Sequence, residues 1–276
     1  MSSSQIDRPL STADLSQDNL RGIDRVVNVL GRARRLLFIT GAGMSADSGL
    51  PTYRGRDGLY RAHQSTQHGL SIEQALSGPM LRLRPDITWH YLLELERSTR
   101  GAMPNRGHHV LAEMDRYFDD VWILTQNVDG LHQFAGSRNV LDVHGNLHEL
   151  ECMRCGLQST AENYTQLSLP PRCPACEGLI RPSVVLFGEE LPQDKLERLW
   201  YEFGLGFDAI FSIGTSSLFE YIIEPIRMGQ AMGIPTVEIN PEPTTVSDLV
   251  DVRISERAAT ALDTIWERYL AWWPWT

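Results

Sequence analysis

The chain has 276 residues, of which 42% are hydrophobic and 22% charged, a composition typical of a globular protein with a substantial core. Its formal net charge of -10 argues against binding to nucleic acid or to an anionic membrane surface through charge, because both are polyanions. No apolar run is long enough for a transmembrane helix.

The chain begins MSSSQIDRPLSTADLSQ, which lacks both the cationic and the apolar region of a secretory signal. We expect residues 1–18 to form a disordered tail. We also expect a cytoplasmic protein with no membrane or nucleic-acid partner. In such a reducing compartment, cysteines more often bind metal or stay free than form disulfides.

Short apolar, β-branched segments alternate with helical patterns along most of the chain. The predicted strands are 36–40, 121–125, 209–213, 235–239 and 252–254, and the predicted helices are 19–33, 105–117, 218–232 and 256–270. Strands that alternate with helices indicate βαβ units. The predicted fold class is therefore α/β, with a doubly wound, mainly parallel, Rossmann-like sheet.

Two stretches interrupt this alternation. Residues 50–104 contain no clear strand, and residues 145–187 contain all four cysteines and several prolines. We interpret them as insertions that pack together as a small helical and zinc-binding module. The remaining segments, 19–49, 105–144 and 188–276, would form the main Rossmann-like domain.

A glycine-rich turn follows the first predicted strand. Gly41, Ala42 and Gly43 begin the sequence GAGMSA, which fits the G-x-G-x-x-[G/A] pattern of dinucleotide-binding turns after a strand. The acidic residue expected about twenty positions later in that pattern is not clearly placed. The turn therefore indicates a dinucleotide that is held differently from that of an ordinary dehydrogenase.

Polar residues follow the second predicted strand. Gln126, Asn127 and Asp129 come where ligands bind in an open α/β sheet, at the carboxyl ends of parallel strands. Their alternative role is to cap the next helix. His144 follows a short apolar segment and has a side chain suited to general-base chemistry. It is one of eight histidines, so spacing alone does not select it.

The four cysteines form two C-x2-C pairs: Cys152 with Cys155, and Cys173 with Cys176. This spacing is typical of a four-thiolate zinc site, whereas the alternatives are two disulfides or four buried thiols. Four thiolates leave no open coordination position, so the zinc would be structural. Three glutamates and three arginines balance across residues 150–183, which disfavours a nucleic-acid-binding ribbon.

Together these segments resemble a known family. GAGMSADSGLPTYRG, TQNVDGLH, VHG, the two C-x2-C pairs, RPSVVLFGE, GTS and EIN occur in the order and rough spacing of the sirtuins, which are NAD-dependent protein-lysine deacylases. The similarity extends from about residue 20 to residue 270. It implies an acylated lysine in an extended peptide as substrate, NAD as co-substrate and one structural zinc ion.

The resemblance also implies roles for individual residues. His144 would be the general base, and Asn127 would be a second catalytic residue. NAD would contact Gly41, Ala42, Gly43, Arg54, Gln126, Asn127, Asp129, Gly214, Thr215, Ser216 and Asn240. An extended peptide would pair with the edge formed by Val185, Leu186, Phe187, Gly188 and Glu189, as in β-augmentation. The acyl oxygen would attack the nicotinamide ribose as nicotinamide leaves, and His144 would then deprotonate a ribose hydroxyl.

Three departures from the family pattern concern specificity. Tyr53 replaces the usual Phe beside Arg54, and SLFEYIIEP replaces a short V-x-P segment after GTS. Leu92 and Leu95 stand where a branch that removes acidic acyl groups has Tyr and Arg, although a helix core would also explain them. The leucines indicate neutral acyl groups, acetyl or longer aliphatic chains. The alternatives are a mono-ADP-ribosyltransferase or NAD hydrolase, and a non-catalytic NAD sensor.

Overall fold

A computed structural model of the chain describes residues 15–52 and 69–272. The helices are α1 Gln17–Leu30, α2 Ile72–Ala75, α3 Gly78–Leu83, α4 Pro85–Thr99, α5 Arg106–Met114, α6 Leu131–Phe134, α7 Gln193–Gly204, α8 Glu220–Ala231 and α9 Ala258–Trp272. The strands are β1 Arg35–Thr40, β2 Asp120–Thr125, β3 Asn139–Asp142, β4 Gly145–Cys152, β5 Gln158–Thr160, β6 Ile180–Val184, β7 Ala209–Ile213, β8 Thr236–Ile239 and β9 Val252–Ile254.

Six parallel strands form the main sheet, in the order β3-β2-β1-β7-β8-β9. Its central strand, β1, pairs with β2 on one side and with β7 on the other. The direction in which successive strands are added therefore reverses beside β1. A parallel sheet opens a crevice at such a reversal, beyond the carboxyl ends of the strands. The predicted doubly wound sheet is confirmed, and this crevice is where a ligand is expected.

Apolar layers cover both faces of the sheet. One cluster joins the buried faces of α1, α5 and α9 to the strands, and a second joins α7 and α8 to the opposite face. Helix α1 illustrates how the sequence specifies such an element. Ser16 caps it by accepting a hydrogen bond from the Asn19 amide, and Ile23, Val26 and Leu30 form its buried stripe.

A second, three-stranded antiparallel sheet has the order β5-β4-β6. It shares an apolar cluster with α2, α3 and α4. Within that cluster Trp89 of α4 is 1% exposed, and its indole Nε1 donates to the carbonyl of Ile180 in β6. Helices α2, α3 and α4 thus pack on the strands around the cysteines. The boundaries of two separate domains stay a prediction.

The strands predicted for the main sheet are all present, but β3 and α7 were missed. Strand β3 has only four residues, and its residues Leu141 and Asp142 are the buried ones, so it shows almost no periodic signal. Helix α7 carries Leu196, Leu199 and Phe203 at helical spacing on its buried side, so its signal was available in the sequence. Among residues 15–52 and 69–272, no helix is both long and apolar enough to cross a bilayer.

Candidate active site

A cleft of about 1180 Å³ lies at the carboxyl ends of the main sheet. The segments that follow β1, β2, β3, β7 and β8 all contribute to its lining, together with residues 184–189. Of the predicted site residues, those that line it are Gly41, Ala42, Gly43, Gln126, Asn127, His144, Val185, Leu186, Phe187, Gly188, Glu189, Gly214, Thr215, Ser216 and Asn240. Arg54 and Tyr53 lie outside the described residues.

The glycine-rich turn after β1 contacts the turn after β7 backbone to backbone. The amide of Gly43 donates to the carbonyl of Gly214 at 2.8 Å. A Cβ atom on Gly43 would lie 2.7 Å from the Gly214 Cα, and one on Gly41 would lie 2.8 Å from the Thr215 Cα. Side chains would therefore force the two turns apart. The structure therefore explains why glycine is needed at positions 41 and 43, which the motif alone did not. Without side chains there, the two turns can approach closely and form one continuous wall of the cleft.

A polar network extends from this wall to the residues after β2. The Asn127 amide nitrogen Nδ2 donates to the Gly41 carbonyl and to Ser45 Oγ, each at 3.1 Å. Ser45 Oγ in turn donates to Asp129 Oδ2 at 2.7 Å. Asp129 thus lies one hydrogen bond behind the residues that line the cleft, and burial raises the pKa of its carboxyl group. Ser45 was not singled out from the sequence, although it is part of the GAGMS motif.

One polar atom of the Asn127 side chain has no hydrogen-bond partner among the described residues. The residue is 5% exposed, and this atom, the side-chain Oδ1, is buried. Leaving a buried polar atom unpaired costs about 1–3 kcal/mol, so this atom suits a donor from a bound ligand, such as a ribose hydroxyl. The alternative prediction, that a residue of this segment caps the next helix, applies to Asp129. Its Oδ1 accepts from the backbone amide of Leu131 at the start of α6.

The histidine of VHG lies next to this network. His144 Nδ1 is 2.9 Å from the carbonyl oxygen of Gln126, and a carbonyl only accepts, so Nδ1 carries the proton. The neutral ring then has its lone pair on Nε2. Burial lowers the pKa of His144, although the hydrogen bond with Gln126 raises it. His144 is therefore largely neutral near pH 7, which is the state that a general base requires.

Thr215 connects two of the predicted NAD-binding residues, Gln126 and Asn240. Its Oγ1 accepts from the side-chain Nε2 of Gln126 at 2.7 Å, and its carbonyl accepts from Asn240 Nδ2 at 3.0 Å. The ends of β2, β7 and β8 are thereby held together at one place.

The predicted peptide edge is anchored on one side. The Val185 amide donates to the His144 carbonyl, and Phe187 forms an isolated parallel bridge with Ser77. Glu189 does not simply present a free carboxylate, since it pairs with Arg181 at 2.6 and 2.8 Å. That ion pair holds the segment in place while residues 185–189 line the cleft.

An apolar part of the cleft lies beside this edge. Leu92 and Leu95 both line the cleft, and both also belong to the apolar cluster around α4. Both interpretations of these leucines are therefore correct: they belong to the helix core and they also line the cleft.

The four cysteines converge at one point. Their sulfur atoms all lie within 4.8 Å of one another, with 3.5 Å between Cys152 and Cys176 and 3.7 Å between Cys155 and Cys173. A disulfide has a sulfur–sulfur bond of about 2.05 Å, so the cysteines are not paired in disulfides. Sulfurs at roughly 2.3 Å from a tetrahedral zinc ion are about 3.8 Å apart, close to these separations. The donor set fits one zinc ion.

One residue at the site was missed altogether. The hydroxyl oxygen of Tyr221, in the first turn of α8, is 2.5 Å from His144 Nε2. The signal available in the sequence is the unusual segment SLFEYIIEP, which by itself indicated only a departure in specificity.

Comparison with known proteins identifies the family. A model described as Sir2 family matches residues 41–220. The NAD-dependent protein deacylase 2 of Pseudomonas aeruginosa is 47% identical over 244 residues, which cover 87% of this chain and 94% of that protein. The NAD-dependent protein deacylase of Aquifex aeolicus is 35% identical over 233 residues, covering 84% and 94%. The chain belongs to the Sir2 family.

Solved structures agree with this assignment. A Sir2 homolog–NAD complex matches with a TM-score of 0.80 and 31% identity, covering 90% of this chain and 94% of that one. A Sir2–p53 peptide–NAD+ complex matches with a TM-score of 0.76 and 27% identity, covering 89% and 98%.

Proposed function

We propose that this protein is an NAD-dependent protein-lysine deacylase. It transfers the acyl group of a modified lysine to ADP-ribose, releasing nicotinamide and the free lysine. The observation that carries the proposal is the cleft itself. One cavity brings together the Gly41–Gly43 wall, the amides of Gln126 and Asn127, a neutral His144 and the peptide edge at 185–189. The related bacterial proteins bear the same activity in their names.

The residues of the cleft suit NAD as co-substrate. When bound, NAD supplies the ribose carbon that receives the acyl oxygen as nicotinamide leaves. The backbone wall of the glycine turns admits the diphosphate without side chains in the way. Asn127 Oδ1, buried and unpaired, accepts a hydrogen bond from the bound nucleotide. The bonds that Gln126 and Asn240 make with Thr215 hold the segments after β2, β7 and β8 in place around the nucleotide.

His144 removes the proton from a ribose hydroxyl. Its Nδ1–H is held by the Gln126 carbonyl, so only Nε2 has a lone pair that can take this proton. The apolar walls exclude water from the reacting carbon and strengthen the fixed dipoles of Asn127 and the backbone. The four thiolates would hold a structural zinc ion, and because they would fill all four coordination positions the ion would take no part in this chemistry.

We further propose that the acyl group is neutral, either acetyl or a longer aliphatic chain. Leu92 and Leu95 in the apolar part of the cleft support this preference, since burying a carboxylate against two leucine side chains would be costly. The net charge of -10 supports lysine-bearing protein segments as substrates and disfavours nucleic acid. We also propose that the protein is cytoplasmic and that it divides into a Rossmann-like domain and a small helical and zinc-binding module.

The decisive experiment incubates the protein with NAD and an acetyl-lysine peptide. Nicotinamide release that depends on the peptide, with O-acetyl-ADP-ribose as product, supports deacylation. Release without the peptide would favour an NAD hydrolase, and transfer of labelled ADP-ribose to protein would favour a mono-ADP-ribosyltransferase. NAD binding without any turnover would indicate a sensor.

The acyl preference is tested on matched peptides. We expect acetyl- and longer aliphatic acyl-lysine peptides to be deacylated faster than the succinyl-lysine peptide of the same sequence. Desuccinylation that outpaces deacetylation would refute the assignment of Leu92 and Leu95, while leaving the deacylase proposal intact.

A further inference from the structure

The contact between His144 and Tyr221 has no part in the mechanism described so far. The Tyr221 hydroxyl oxygen is 2.5 Å from Nε2, the ring nitrogen whose lone pair must accept the ribose proton. Because Nδ1 donates to the Gln126 carbonyl, Nε2 can only accept, and Tyr221 therefore donates. In this structure the lone pair of the base is already engaged by a tyrosine hydroxyl.

The position of Tyr221 is fixed by its surroundings. It lies in the first turn of α8 and stacks on Phe219, with ring centroids 5.6 Å apart and an interplanar angle of 16°. Both rings meet His144 edge-on, at 6.2 Å for Phe219 and 6.0 Å for Tyr221. The preceding turn is held by Ser217, which is buried with a φ of 51° and donates its amide to Thr215 Oγ1. The hydroxyl is thus aimed at Nε2 by a rigid segment.

The hydroxyl also faces the substrate. Tyr221 and His144 both line the cleft. A hydroxyl that donates one hydrogen bond still has lone pairs with which to accept another. A ribose hydroxyl that donates to Tyr221 Oη would therefore be connected to Nε2 without any displacement of the tyrosine.

We propose that Tyr221 is a further catalytic residue, which relays the proton from the ribose hydroxyl to His144. The ribose O–H bond breaks as its proton moves to Tyr221 Oη. In the same step the Tyr221 O–H bond breaks and its proton moves to Nε2, so that the tyrosine ends as it began and the imidazole becomes an imidazolium. The ribose oxygen retains the electron pair with which it attacks the acyl carbon. This inference rests on the proposed deacylase function.

The electrostatics of the site favour a concerted relay. Burial raises the pKa of Tyr221, so a free tyrosinate is disfavoured and the hydroxyl remains a donor at neutral pH. In the relay the oxygen gives up one proton as it receives another and does not carry a full negative charge. The segment that supplies Tyr221 is the one that departs from the family's V-x-P pattern.

The test compares two steps of the reaction. In the mechanism above, the base acts after nicotinamide has left, so a defect at the base slows acyl transfer and spares nicotinamide exchange. We expect Tyr221→Phe to lower the rate of deacetylation by about a hundredfold, the lower end of what a positioned general base contributes. Exchange of labelled nicotinamide into NAD, in the presence of acetyl peptide, should stay close to that of the unaltered enzyme.

Two further variants complete the comparison. Tyr201→Phe removes a hydroxyl from a 61% exposed tyrosine on α7 and should alter neither rate. The double variant with Tyr221→Phe and His144→Ala should be no slower than His144→Ala alone, because two groups on one proton path are not additive. Additive losses, unchanged deacetylation in Tyr221→Phe, or equal loss of exchange and deacetylation in a folded variant would each overturn the relay.

A measurement on the unaltered protein tests the relay even if the Tyr221→Phe variant fails to fold. The ¹⁵N NMR signals of histidine, assigned to His144 by their loss in His144→Gln, should show a proton on Nδ1 and none on Nε2. A proton on Nε2 would overturn the relay. If the unaltered enzyme itself shows no peptide-dependent release of nicotinamide, it is the proposed function that fails. If that release occurs and Tyr221→Phe deacetylates normally, only the relay fails.

Discussion

Replacing Gly43 with alanine tests whether the wall of the cleft depends on direct contact between two backbone turns. The added Cβ would lie 2.7 Å from the Gly214 Cα and 2.8 Å from the Gly214 carbonyl oxygen. Carbon atoms in comfortable contact are about 3.5–4.0 Å apart. The two turns would have to separate by roughly 0.8 Å to relieve the first contact alone.

This separation should affect both stability and activity. Overpacking of this kind costs about 1–3 kcal/mol, and a loss of about 2 kcal/mol would lower the Tm by roughly 4–8 °C in a protein of this size. The displaced turn also carries the Gly41 carbonyl that binds Asn127. A misplacement of about 1 Å can reduce catalysis about a hundredfold, so we expect kcat/KM for NAD to fall by about that factor.

The assays are thermal unfolding and peptide-dependent nicotinamide release at varied NAD concentration. The matched control is Gly204→Ala, because a Cβ on Gly204, the last residue of α7, would meet nothing within 4 Å. That change should leave activity unaltered and raise stability by about 0.5–1 kcal/mol, as alanine does in a helix. A Gly43→Ala protein with the Tm and kcat/KM of the unaltered enzyme would refute the account of the glycine wall.

Three other predictions concern the zinc site, the base and the amide network. Cys173→Ser should reduce bound zinc in metal analysis and lower the Tm, because a structural zinc ion contributes to folding; zinc retained at one equivalent would contradict the four-thiolate site. Because burial lowers the pKa of His144, the base stays neutral as the pH falls, so the acid limb of kcat/KM should lie below about 6.5; a limb well above that value, or full turnover by His144→Ala, would count against the assigned base. Asn127→Asp should abolish turnover, since a carboxylate oxygen would face the Gly41 carbonyl in place of a donor; retained activity with normal NAD affinity would show that this hydrogen bond is dispensable.

Much of the fold could be predicted because its signals are local. The main-sheet strands β1, β2 and β7 are short runs of apolar residues that are buried on both faces, and such runs are visible without knowledge of their partners. The alternation of strands with helices then requires parallel pairing. Four cysteines in two close pairs likewise indicate a metal site by their spacing, since each pair presents two sulfurs from one turn, and the sulfur separations in the structure exclude disulfides.

Most of the site residues could also be predicted from the sequence, because ligands bind at the carboxyl ends of parallel strands. Gln126, Asn127 and His144 follow β2 and β3, and Gly214 follows β7, so their convergence follows from the topology. The resemblance to the family selected His144 from the other histidines. Spacing could not, because nothing local distinguishes a buried histidine that binds a carbonyl from one on the surface.

Only the tertiary structure decided how these parts meet. Tyr221 and His144 are 77 residues apart along the chain, and the order β2-β1-β7 is what brings the end of β7 and the start of α8 to the base. The need for glycine at position 43 likewise arises from Gly214, which lies on a different strand connection. Contacts between distant segments depend on the order of the strands and on the side of the sheet at which each helix crosses. Neither can be predicted from the local pattern of residues.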